Sequence, residues 1–232
     1  MSRCSCGASA GPATADPPGC RTRRRGDRPL AAPAVAGGKR VARRLGAWLC
    51  FADEAGHTLR PAKARTWAPR GRTPVVKVTG KGSGRISIAG LVAYKPGHRS
   101  RLIYRMMIHR GRKGEPKGFR ERDFAALLDA AHQQLGGPIV LVWDNLHGHR
   151  STTMRALIAT RPWLRVYQLP SYAPELNPSE GIWAHLKRSL ANLAVHNITN
   201  LAHLAKNRLK RMQYKLGLVD GFMAATGLSP PR

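Results

Sequence analysis

Acidic residues are scarce in this chain: 12 Asp and Glu stand against 40 Lys and Arg in 232 residues, a formal net charge of +28 at pH 7. Such a field repels cations and basic partners and draws polyanions, nucleic acid ahead of anionic membrane. Long apolar runs are also missing. None approaches the roughly 18 residues that cross a bilayer, and the N-terminal segment has no apolar core of a secretory signal, so the sequence predicts no membrane association. Cysteine is sparse too. Cys4, Cys6, Cys20 and Cys50 include no Cys-x-x-Cys pair, which supports neither a zinc site nor a disulfide framework, and they are read as reduced thiols.

What is present falls into two textures. Residues 1–44 are rich in Ala, Gly, Pro and Arg with no apolar period, which predicts a disordered basic arm; its charge suits non-specific phosphate contact, and leftover coding sequence upstream of a truncated domain is the other reading. From 45 to 232 the pattern is that of a folded domain. Trp48–Ala52 form an apolar run ending at Asp53, and "TPVVKVTG" (73–80), "RISIAGLVAY" (85–94) and "RLIYRMMIHR" (101–110) read as strands of an antiparallel meander. "FRERDFAALLDAAHQQLGG" sets Phe124, Leu127, Leu128 and Ala131 on one helical face and stops at Gly136 and Gly137. "PIVLVWDN" is the continuous run of a central strand covered on both faces. Helix "STTMRALIAT", strand "LRVYQLP", helix "SEGIWAHLKRSLANL" and a helical final third follow. A meander that passes into alternating strands and helices describes a mixed sheet with helices on its faces, an α/β domain.

With so few acids, each can be weighed. Asp53 and Asp144 both end strand-like runs, where an Asp either opens a turn or projects into a crevice at the sheet edge. Glu180 in "NPSE" sits at the third helical position after Asn177 and Pro178, the place of a capping-box carboxylate, yet a carboxylate there is also held rigidly enough to ligate a metal. Three converging carboxylates would form a hard oxygen site for Mg²⁺, and a pair of such ions can activate the attacking oxygen and stabilise the leaving one at a phosphodiester. The basic surface would then hold the polyanion that the acids cut. Trp67 among Arg65, Arg70 and Arg72 could stack on and grip DNA or could be loop packing. Ile182, Leu186, Leu190 and Leu193 should face the core, leaving Lys187 and Arg188 exposed toward a phosphate backbone. "KNRLKRMQYK" (206–215) is a solvated basic face or a phosphate-binding one.

"CFADEAG", "VWDNLHGH" and "LPSYAPELNPSEGIWAHLKR" together resemble the DDE endonuclease domain of bacterial insertion-sequence transposases of the IS630 family, in the IS630/Tc1/mariner superfamily. The resemblance spans about residues 46–228, and 35 residues separate Asp144 from Glu180, close to the spacing that names the superfamily. It implies an RNase H-like fold in which Asp53, Asp144 and Glu180 are the catalytic acids and hold two Mg²⁺ ions, with Mn²⁺ as the implied substitute. Asn145 and His149 match the polar positions after the second acid and are expected to orient the metal shell or the scissile strand; a turn hydrogen bond and a helix-entry role are the alternatives. Glu54 is set aside, because strand alternation points it to the other face. His147 stands where a small polar residue is expected. The implied partners are double-stranded DNA, as terminal inverted repeats and a TA target, and further copies of the chain assembled on it, in a cytoplasmic, nucleoid-associated setting. The helix-turn-helix region that reads the repeats is not recognisable in this sequence, which suggests a separately encoded part. The rival readings are a metal-dependent nuclease without strand transfer and an inactive remnant that binds DNA by charge alone.

Overall fold

The computed structural model describes residues 33–72, 74–75, 84–116, 118–170, 173–215 and 217–227. Its centre is one mixed sheet of β1 (Trp48–Thr58), β2 (Arg85–Tyr94), β3 (Arg101–His109), β4 (Ile139–Trp143) and β5 (Leu164–Gln168), in the order β3-β2-β1-β4-β5. β1, β2 and β3 pair antiparallel, the β2–β3 pair across a connection too short for a crossover, and β4 joins β1 and then β5 in parallel. The strand expected at 73–80 lies, apart from Pro74 and Val75, outside the described residues.

Side-chain alternation divides the core. Leu49, Phe51, Val140 and Val142 face one side, covered by α1 (Pro33–Arg44), α5 (Pro178–Ser189), α6 (Ile198–Tyr214) and α7 (Leu218–Ala225). Trp48, Cys50, Leu141 and Trp143 face the other, under α2 (Glu121–Leu135) and α4 (Thr152–Ala159). β4 is buried at all five positions, as its unbroken apolar run predicts. α2 stops at Gly136, whose φ of 63° lies in the left-handed region that favours glycine. Cys50 is a free, fully buried thiol, and burial pushes its pKa upward.

Two expectations need correction. Residues 33–44, read as part of a disordered arm, form helix α1, which packs on β4 with Val35 and Ala42 buried. A helix containing Gly37 and Gly38 has poor intrinsic propensity, but it packs on β4 with Gly38 against Val140, Val142 and Leu49, so packing decides. Asp53 is also not the end of its strand: β1 continues to Thr58 because β2 pairs with it throughout. Its parallel partner β4, however, last pairs at Phe51 with Val142. Asp53 therefore sits where β1 runs on past the end of β4, at a notch in the sheet.

Candidate active site

The notch is formed by three elements. β1 supplies Asp53, on the same face as Leu49 and Phe51 and therefore toward α5. The chain leaving β4 supplies Asp144, directly after Trp143. The first turn of α5 supplies Glu180. Local chemistry fixes that turn: Pro178 occupies the first helical position, Asn177 accepts from Ser179 N–H at 3.1 Å, and the Ser179 hydroxyl, 1% exposed, donates to Phe51 O at 3.2 Å. That last bond ties the start of α5 to β1 two residues before Asp53.

The capping-box reading of Glu180 does not hold. Asn177 N–H, which a capping-box carboxylate would receive, donates instead to Pro174 O at 3.0 Å. The Glu180 carboxylate is exposed and makes no hydrogen bond to a described residue.

Asp53 is tightly held. Its Oδ1 accepts from Glu54 N–H at 2.8 Å and its Oδ2 from the Trp183 indole N–H at 3.1 Å. Burial first, and then the charges of Glu180 and Asp144, push its pKa up to about 7 against those two hydrogen bonds. Asp144 shifts the other way. His149 Nδ1 donates to its Oδ1 at 2.8 Å, Leu146 N–H adds a bond at 3.2 Å, and together with the imidazole charge they hold the carboxyl below its usual range despite partial burial. His149 is buried, stacked on Trp143 at 4.0 Å between centroids and met edge-on by Phe124 at 4.8 Å. Asn145 Nδ2 donates to Leu169 O at 2.7 Å and so joins the ends of β4 and β5.

Asp53, Asp144 and Glu180 line one cleft of about 390 Å³, with Asn145, Leu146 and Asn177 on its walls and no Lys or Arg among its described lining residues. The donors are all carboxylate and amide oxygens, the chemistry of a hard divalent cation. Among the described residues, no three His, Cys, Asp or Glu side chains stand close enough to close on a single ion as placed. Glu54 is absent from the cleft, as alternation predicts.

The remaining predicted residues lie elsewhere. Arg65, Trp67, Arg70 and Arg72 are exposed on the β1–β2 connection, and Trp67 is 99% exposed, so it packs on no described residue. That connection is anchored by Asn192, whose amide accepts from Ala64 N–H at 3.0 Å and donates to Ala64 O at 2.8 Å. Lys187 and Arg188 are exposed in the last turn of α5. Sequence reasoning missed Trp183, Ser179 and Gly90. Trp183 could have been found, since it stands three residues after Glu180 on the same helical face.

Residues 48–202 match the family model for the DDE superfamily endonuclease. No curated protein matches the chain. Among solved structures it is similar to the Mos1 mariner paired-end complex with Mn, at TM-score 0.58 and 15% identity over 85% of this chain. It is also similar to the catalytic domain of Mos1 mariner transposase, at TM-score 0.52 and 14% identity, covering 85% of this chain and 84% of that one. The chain spans 57% of the length of the paired-end-complex protein. These likenesses establish a shared RNase H-like fold, a mixed five-stranded sheet with flanking helices. With two thirds of its length matched by the family model and its acids gathered at the notch of that sheet, the chain belongs to the DDE superfamily endonucleases.

Proposed function

We propose that this chain is the catalytic domain of a transposase of the IS630 type, which cuts DNA at the ends of its element and joins them to target DNA. The observation that carries the reading is the opening of Asp53, Asp144 and Glu180 onto one cleft with no basic side chain among its described lining residues, in a chain of net charge +28. Positive side chains hold a phosphodiester but do not activate it, and an acid cluster in such a field has a purpose if it binds cations. The Mos1 neighbours include complexes named with Mn and with Mg, which supports divalent metal use.

Asp53, held through both oxygens, Asp144 and Glu180 would be the residues that hold the divalent ions. Bound there, Mg²⁺ or Mn²⁺ would polarise the phosphodiester and make water a stronger nucleophile. Trp183 and His149 hold the Asp53 and Asp144 carboxylates in place. In the first reaction water adds to phosphorus, the bond to the 3′ oxygen breaks, and that oxygen takes a proton. In the second the resulting 3′-hydroxyl loses its proton and attacks a target phosphorus, displacing the target's own 3′ oxygen. The target would be a TA dinucleotide, and assembly of two copies on paired ends would bring both ends to it.

The test is a joining assay with a precut element end and supercoiled target. The proposal expects metal-dependent joined product. Cleavage without joining would instead make the chain a nuclease, and metal-free DNA binding with neither reaction would make it a binding remnant.

A further inference from the structure

A second cleft, of about 400 Å³, is lined by His149, Arg150, Arg155, Ile158, Val166 and Gln168. It adjoins the acidic one. His149 lines it and donates through Nδ1 to Asp144, while Gln168 ends β5 and the next residue, Leu169, lines the acidic cleft. The two clefts have opposite character. Among the described lining residues, the first carries three carboxylates and no base; the second carries two exposed arginines and no acid.

Arg150 and Arg155 form no ion pair with a described carboxylate, unlike nearby Arg161, whose guanidinium is taken by Asp129 at 2.7 Å. Their forks of N–H donors suit phosphate oxygens. Ile158 and Val166 are partly buried and give the cleft an apolar wall against which a sugar can lie. The Nε2 of His149 is buried without a partner among the described residues. A water bridging it and a phosphate oxygen would satisfy both.

We infer that this second cleft is a subsite for a backbone phosphate of the DNA strand that crosses the acidic cleft, held by Arg150 and Arg155. The inference rests on the DNA-cutting reading above and adds the path of the strand. It places the strand over the ends of β4 and β5, with the scissile phosphate at the acids and a neighbouring phosphate between the arginines.

The test is binding of a short fluorescein-labelled duplex to the full chain, with chelator present, followed by anisotropy across a range of salt. R150A/R155A should lower the slope of log affinity against log salt by about two units and weaken binding about tenfold or more near 0.1 M salt. R43A/R44A removes the same charge from the C-terminal end of α1, at the other end of the sheet, and should change the slope far less. Thermal melts of both variants should match the wild type, because all four side chains are exposed. An unchanged slope for R150A/R155A, or an equal fall in both double variants, overturns the subsite. Plasmid cleavage by the wild type in Mg²⁺ is read separately, so failure of the cutting reading appears as absent cleavage with the arginine-dependent slope intact, and failure of the subsite appears in binding alone.

Discussion

The indole N–H of Trp183 donates to Oδ2 of Asp53 at 3.1 Å, so α5 both delivers Glu180 to the cleft and orients the carboxylate facing it. A hydrogen bond to a charged group is worth about 1.5–3 kcal/mol. W183F keeps an aromatic ring and loses the donor. It should lower metal-dependent cleavage by about tenfold or more, and the acidic limb of the pH–rate profile should move upward, because a bond that favours the ionised carboxylate is gone. Lost cleavage with an unmoved profile would mean that Trp183 acts through packing alone.

Gly90 pairs with Asp53 across β1 and β2, and the Trp183 ring lies directly on it: a Cβ there would come within 2.5 Å of the ring. The ring is itself buried and cannot simply swing away. G90A should destabilise the domain by about 1–3 kcal/mol in denaturant unfolding and should lower cleavage together with stability. A fully stable, fully active G90A would show that the indole has another place to go.

Asp53 gives the metal-free chain a pH signature. Its folded pKa of about 7 lies above the value of about 3.9 for an unfolded Asp, so the folded state holds its proton longer. Its contribution to stability is full below about pH 4 and is lost as pH rises through about 7. With chelator present, D53N should therefore be more stable than wild type at pH 8, by about 1–3 kcal/mol, and should lose that advantage at pH 4. Unfolding midpoints measured at both pH values check the sign; the opposite order would mean that Asp53 ionises easily in the fold.

His149 separates into two jobs, a donor to Asp144 and a ring stacked on Trp143. H149F keeps the ring and H149N keeps a donor near Nδ1. Partners of metal ligands typically contribute about 10–100-fold in metal affinity. Mn²⁺ titration should find H149F weakened by about tenfold with its thermal stability retained, and H149N less weakened in binding but less stable. Equal Mn²⁺ affinity in all three proteins would remove His149 from the orientation of Asp144.

Much of this site was readable from sequence, for reasons that individual residues make plain. Asp144 follows a short unbroken apolar run rich in β-branched residues, the pattern of a strand covered on both faces. Asp53 was legible as a strand end because its run does end where β4 stops, although the ladder with β2 carries β1 six residues' worth of pairing further, from Asp53 through Thr58. Glu180 was legible only as a choice between cap and ligand, since the bond from Asn177 N–H to Pro174 O that decides against the cap depends on the fold of the preceding turn. Gly90 and Trp183 lie far apart in the chain, and no local pattern announces a glycine that must accommodate an indole. Helix α1 escaped for the reverse reason: its sequence argues against a helix, and only the surface of β4 makes one.

The most direct test of a working acidic site is nicking of supercoiled plasmid carrying the element's own ends, in Mg²⁺ or Mn²⁺, by wild type, D53N, D144N and E180Q. The site described here predicts metal-dependent nicking by the wild type and a fall of about 10³-fold or more in each variant, with DNA binding kept. Cleavage by D144N near the wild-type rate would contradict it.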